Sequence, residues 1–269
     1  RMHGKGVIGD AGIDWRELMA FKRTFTDPVP EKHERSYRDA GIDTYHGQAR
    51  FTGPNSLTVE GEALVGRHIL IASGAEPVPL GLPGEEHVID NEAFLALERL
   101  PRRILLVGGG YIAAEFSTIA ANAGAEVTIL QKGPRMLTGF DADLVGWLMP
   151  RFREVGINVQ LNTTVEAVEA GGDGFVVRAS ADGESKTFEA DLVVHAAGRV
   201  PALEALDLDV ANTARARGRP KLNEYLQSVS TPAIYVAGDS AQVGPPLTPV
   251  SSHDVRVVAG NILEGNHLR

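Results

Sequence analysis

The sequence contains no cysteine, so no disulfide, thiolate nucleophile or cysteine-held metal can form within its 269 residues. No apolar run approaches the ~20 residues that a membrane-spanning helix needs. The opening Arg1 to Lys5 does not lead into a signal-peptide core, and a cytoplasmic protein is expected. Positive charge is also scarce: 26 Lys and Arg stand against 35 Asp and Glu, a formal net charge of -9, and the basic residues are scattered. That balance argues against a nucleic-acid footprint. The eight histidines show no ligand spacing, so no metal site is expected; His253, beside Asp254, reads as an ordinary helical residue. What remains is 43% apolar and 23% charged, a globular composition whose length suggests two domains. No repeat of solenoid length is present.

The most informative stretch is Arg103 to Leu130, RILLVGGGYIAAEFSTIAANAGAEVTIL. Ile104 to Val107 form the short apolar run of a buried parallel strand, and Gly108, Gly109 and Gly110 follow where that strand must turn. Gly108 permits a tight bend, Gly110 lets the backbone approach a pyrophosphate, and Ala113 keeps the following helix close to the strand. The helical pattern continues through Ile119 and Ala123 until Gly124 stops it, and Val127 to Leu130 supply the next strand. A Gly-x-Gly-x-x-Ala match alone is weak; between strand and helix it indicates a dinucleotide site, with helix amides facing the phosphates. The alternative is a tight structural turn without ligand. About 20 positions on, an acidic residue would grip an unmodified ribose. The chain has Gln131 there, followed by Lys132 and Arg135, which favours the ribose phosphate of NADP over NAD. The competing reading makes Lys132 and Arg135 solvated loop charges.

Around this unit, Asp14 is a candidate N-cap for a helix from Trp15 to Phe25, and Pro28 and Pro30 interrupt the pattern before a second helix from Glu31 to Asp39. Short alternating runs, Gln48 to Phe51 and Ser56 to Val59, predict an antiparallel meander, closed by a strand from His68 to Ala72. Pro77, Pro79, Gly81, Pro83 and Gly84 form a stiff connection. Later elements are a helix from Asp143 to Val155, a strand from Ile157 to Leu161, a hairpin through Phe175 to Phe188 and a strand from Asp191 to Ala196. Last come a buried strand from Ala233 to Val236 and a helix from Pro249 to Leu263.

Three further segments, in order, resemble the pyridine nucleotide-disulfide oxidoreductase family, which includes glutathione reductase, dihydrolipoamide dehydrogenase and mercuric reductase. HILIASGAEPVPLGLPG, from His68 to Gly84, looks like the family's strand and Ala-Thr-Gly turn, with Ser73 for the threonine and then Gly74. VVHAAGRVPAL, from Val193 to Leu203, looks like the return crossing through Gly198 and Arg199, with Ala202 for the expected asparagine. AIYVAGDSAQVGPPLTPV, from Ala233 to Val250, resembles the second flavin motif, in which Gly238 and Asp239 follow a buried strand and Leu247, Thr248 and Pro249 open a helix. The resemblance covers essentially the whole chain. It implies an α/β fold of two Rossmann-like domains, the NAD(P) domain inserted into an incomplete FAD domain. The boundaries expected are 1–75 and 200–269 for FAD and 76–199 for NAD(P).

The resemblance also assigns roles. Asp239 would bind the flavin's ribityl chain, and the helix amides after Leu247 and Thr248 would face its pyrimidine side; without the resemblance, Asp239 reads as a turn residue and Thr248 as a helix-start signal. Tyr111 and Glu115, in the Gly-Tyr-Ile-Ala-x-Glu pattern with Ile112, would cover the nicotinamide pocket and orient the carboxamide. Otherwise they read as a packed aromatic and a solvated carboxylate. Arg199 is expected near the adenosine end, its alternative being a surface ion pair. Family members begin with their own strand and Gly-x-Gly-x-x-Gly turn, followed by a cysteine pair, and end in a dimerisation domain. None of these is in the sequence, so an internal part of a longer, homodimeric flavoprotein is expected, passing hydride from NAD(P)H to FAD and onward to a small-molecule electron acceptor. A cysteine-free parent fits equally. The alternative for the chain is a non-catalytic fragment retaining only the NAD(P) site.

Overall fold

A computed structural model describes residues 12–269; Arg1 to Lys5, where no signal-peptide core was read, lie outside them. The chain divides into two compact units. One comprises described residues up to Lys32 together with Pro77–Gly198, the other His33–Glu76 together with Arg199–Arg269.

Two helices come first among the described residues, α1 (Trp15–Thr26) and α2 (Val29–Asp39). Asp14 caps α1, its carboxylate accepting from Glu17 N–H at 3.0 Å. Trp15 and Met19 face the core of the first unit: the Trp15 ring meets Phe94 edge-on at 6.1 Å and its indole N–H donates to Leu97 O at 2.9 Å. Thus α1, placed by the sequence with the first flavin segment, packs with the other unit, because the Trp15 indole at its start finds both an aromatic wall and an acceptor there. The expected interruption lies at residues 27–28, and α2 begins two residues earlier than the sequence suggests, taking in Pro30. Pro30 is the second residue of α2, where a missing N–H costs the helix nothing.

The core of the first unit is a five-stranded parallel sheet in the order Val88–Ile89, Leu192–His195, Arg103–Val107, Glu126–Leu130, Ile157–Gln160. Arg103–Val107 is central. Its pleat sends Ile104 and Leu106 into a cluster with Ile112, Ala113, Phe116 and Ala120, and Leu105 and Val107 into another with Val168, Val177 and Ala179. One face is therefore covered by helices: α3 (Asn91–Leu95), α4 (Tyr111–Asn122) and α5 (Ala142–Glu154). The opposite face is covered by an antiparallel meander, Thr163–Gly171, Gly174–Ala181 and Glu184–Ala190. Burial on both sides is what the unbroken run Ile104 to Val107 requires.

The second unit holds the expected meander, Ala49–Gly53, Ser56–Val59 and Glu62–Val65, and a parallel pair of Ile69–Ile71 with Ile234–Val236. Phe51, Ile71, Leu208, Ile234 and Val236 share one core. The last helix, α6 (Thr248–Glu264), packs Val257 and Val258 against Tyr235 and Ala237.

Candidate functional site

In the first unit the chain runs outward from Arg103–Val107 to its neighbours on one side and returns on the other, so the end of that strand is the point where strand order reverses. Gly108 sits there with φ +106°, and its N–H donates to Leu130 O at 2.8 Å. A Cβ at Gly108 would lie 2.4 Å from Ala196 O and 2.5 Å from Ala197 Cα, so both conformation and packing demand glycine. Gly110 differs. It is extended, and a Cβ there would meet Ala196 O at an ordinary 3.6 Å. Among the described residues only Ala196 O comes within 4 Å of that position, which fits the approach of a ligand backbone.

Gly110 is also the N-cap of α4 and offers no side-chain cap. The first helical bond is Ala114 N–H to Gly110 O at 3.1 Å, so the amides of Tyr111, Ile112 and Ala113 precede the ladder. No acidic residue lies in this first turn. With Ala113 fully buried against the strand, the helix start presents donors and a partial positive charge to an anion, and the residues fit a dinucleotide diphosphate.

Tyr111, 39% exposed, and Glu115, also exposed, lie one turn apart on the open face of α4. Gln131 is otherwise engaged: its Oε1 accepts from Gly109 N–H at 2.9 Å and its Nε2 donates to Arg135 O at 3.1 Å. Arg135 turns its guanidinium onto Phe140 O and Thr138 O, at 3.2 and 2.9 Å, so it braces its own loop. Lys132 is exposed and makes no ion pair among the described residues. Gly198, at φ +119°, accepts from Val78 N–H at 3.1 Å.

Sequence reasoning passed over what fastens the proline-rich connection to this unit. His195 Nε2 donates to Val78 O at 2.7 Å. Glu85 accepts from Leu80 N–H at 2.6 Å and Gly81 N–H at 2.9 Å, and these bonds, helped by His195, hold its carboxyl below the usual range.

In the second unit, the parallel pairing of Ile71 with Val236 sends Ser73 and Gly74 out of the sheet at the same end as Gly238 and Asp239. Ala237 N–H donates to Ile71 O at 3.0 Å and Ser240 Oγ to the same oxygen at 3.3 Å. Ser73 is exposed and Asp239 half-buried; Gly74 O accepts from Ala202 N–H at 3.0 Å. Arg199 donates to Ala75 O. Leu247 is the extended N-cap of α6, without a side-chain cap, and the first turn carries no acid.

The sequence reading passed over one structural tie here. Asp254, set aside as a neighbour of His253, is 4% exposed, and its Oδ2 accepts from Gly238 N–H at 2.8 Å, while His253 Nδ1 stands 3.9 Å from Oδ1. It ties the Asp239 turn to α6. The available signal was its place at the head of the buried stripe Asp254, Val257, Val258, Asn261. No group of three or more His, Cys, Asp or Glu could hold a metal among the described residues.

Comparison with known proteins adds to this geometry. The family profile of the pyridine nucleotide-disulphide oxidoreductases matches residues 16–254. Similar curated proteins include a mercuric reductase of Staphylococcus aureus, 32% identical over 87% of this chain and 43% of the relative. A glutathione reductase of Burkholderia cepacia is 32% identical over 99% of this chain and 60% of the relative. Among solved structures, the HOCl-induced flavoprotein disulfide reductase RclA from Escherichia coli superposes with a TM-score of 0.86 at 28% identity, covering 96% of this chain and 59% of that one. The chain thus spans between two fifths and three fifths of the length of these proteins.

Proposed function

The chain belongs to the pyridine nucleotide-disulphide oxidoreductase family, and from that premise we propose that it is the nucleotide-handling part of an FAD-dependent NAD(P)H oxidoreductase. The observation that carries this reading is the turn from Gly108 to Ala113, set where strand order reverses and followed by an acid-free helix start. Gly108 and Gly110 admit the diphosphate and the amides of Tyr111, Ile112 and Ala113 bind it. Tyr111 and Glu115 shield and orient the nicotinamide end; neither acts as a nucleophile, because hydride transfer depends on position. Gln131 leaves no carboxylate to repel a ribose phosphate, and Lys132 offers an exposed ammonium, which favours NADP over NAD. In this reading Pro77–Gly198 is the NAD(P) domain and the two flanking segments contribute to the FAD domain.

Asp239, Ser73 and Gly74 would hold the flavin's ribityl side, and the α6 amides after Leu247 and Thr248 would favour negative charge at its pyrimidine end. Bound flavin would supply the acceptor for the hydride of a reduced nicotinamide. The parent would pass electrons to a small-molecule acceptor as a homodimer.

One observation favours a second reading for the chain by itself: a nucleotide binder without flavin. The parallel sheet of the second unit has two strands among the described residues, against five in the first. Absorption spectra of the purified chain, with and without added FAD, separate the two. Retained flavin absorbance that bleaches anaerobically with NADPH supports the oxidoreductase. A colourless chain that quenches NADPH fluorescence supports the binder, and a chain that does neither overturns both.

A further inference from the structure

The Gly109 peptide is held from both sides. Its N–H donates to Gln131 Oε1 at 2.9 Å, and its C=O accepts from Leu137 N–H at 2.7 Å. The Gln131 side chain lies directly on it: a Cβ at Gly109 would come within 3.0 Å of Gln131 Cβ, Cγ and Cδ. At its far end the carboxamide donates to Arg135 O, while the Gln131 main chain is pinned by Gln160 O and Thr163 N–H at 2.9 and 3.0 Å. The glycine turn and the 131–140 loop form one braced piece, with a carboxamide as the crosslink.

Chemistry restricts what can serve as that crosslink. A carboxamide accepts from one peptide N–H and donates to another peptide's carbonyl at once. A carboxylate of the same shape would accept from Gly109 but confront Arg135 O with a second acceptor. Methionine would fill the volume and do neither.

We propose that Gln131 is a positioning residue of the dinucleotide turn, acting by holding the Gly109 peptide and the 131–140 loop in register and not by touching a ribose. The inference rests on reading Gly108 to Ala113 as the dinucleotide turn. The Gly109 peptide leads directly into the α4 amides, so a tilt there re-aims every donor at the diphosphate. NAD+ and NADP+ share that diphosphate. A holding role therefore weakens both nucleotides equally, whereas a ribose contact acts on the group by which they differ.

The test is the dissociation constants of NAD+ and NADP+ for wild type, Q131M and Q131E, with amide exchange at Gly109 measured without nucleotide. Q131M is expected to weaken both nucleotides by the same factor, on the order of 10- to 100-fold, the weight of the two hydrogen bonds lost, and to speed Gly109 exchange similarly. Q131E is expected to bind weakly near neutral pH and to recover NAD+ affinity, relative to wild type at the same pH, toward about pH 4, where the introduced carboxyl protonates and can donate again. Unchanged exchange in Q131M, or a loss confined to one nucleotide, overturns the proposal, and absence of recovery in Q131E overturns the donor half of the crosslink. A wild-type chain that binds neither nucleotide overturns the proposed function instead; Gly109 exchange in Q131M then still decides whether the crosslink holds the turn.

Discussion

The first unit sets its turn at the end of a strand with parallel neighbours on both sides, whereas the second sets Gly238 and Asp239 at the end of a parallel pair that has two strands among the described residues. The difference extends to how each turn is held. Gly108 to Ala113 is one continuous segment, shaped by a positive φ and a close approach to Ala196, and steadied by the nearby Gln131. The Gly238 turn is gathered from distant parts of the chain, by Ser240 bonding Ile71 across 169 positions and by a buried Asp254 carboxylate. A site of the first kind depends on the sheet beneath it; one of the second depends on individual polar ties.

The largest expected effect tests that dependence on the sheet. Leu105 is almost fully buried between the central strand and the meander, so L105A should destabilise the first unit by about 3 kcal/mol. Site-resolved amide exchange should show the loss across Arg103–Val107 and its neighbours. An equal loss throughout the second unit would make the chain one cooperative block and remove the contrast.

D254A comes next. It leaves Gly238 N–H without its acceptor, a cost of about 1–3 kcal/mol, and should loosen the Gly238–Ser240 turn while NADP+ affinity stays within about twofold. D254N retains an acceptor and should cost less, about 1 kcal/mol. Urea denaturation beside a NADP+ titration checks both, and a D254A that loses NADP+ binding would contradict the assignment of that tie to the second unit.

The smallest effect concerns Glu85, whose carboxyl is held low by Leu80 and Gly81 N–H and by His195. A depressed folded-state pKa contributes stability that is complete above the ordinary value of 4.5 and is lost as pH falls through the folded value. The difference in urea midpoint between wild type and E85Q should therefore be constant above about pH 5 and shrink below it. A difference that persists unchanged at low pH would assign the effect to packing.

The same contrast governs what the sequence revealed. The glycine turn was legible because strand, turn and helix are consecutive and each glycine has a local reason. The strand Thr163–Gly171 was not read, because a register shift between Val165 and Ala167 breaks the two-residue alternation. The apolar residues Leu18, Met19 and Phe21 marked α1 as amphipathic, but Phe21 is exposed and Trp15 is buried with Met19; Phe94 and Leu97, which decide this, lie far along the chain. Gln131 was noticed for the charge it lacks, and its hydrogen bonds became visible only with its direction. Asp254 was read beside His253, its neighbour in sequence, whereas the group it binds, Gly238 N–H, lies 16 positions earlier in the chain.

The position of Leu192–His195 has a consequence for biosynthesis. This strand, the last of its sheet to be made, lies inside the sheet between Val88–Ile89 and Arg103–Val107. Until it emerges from the ribosome, Val88–Ile89 has no partner and one edge of the central strand stands open, a template for pairing with another chain. Closing the sheet must await the return of a distant segment, which makes this step slow. A nascent chain released before residue 192 would carry a complete glycine turn on an unfinished sheet, and its open edge is where aggregation would begin.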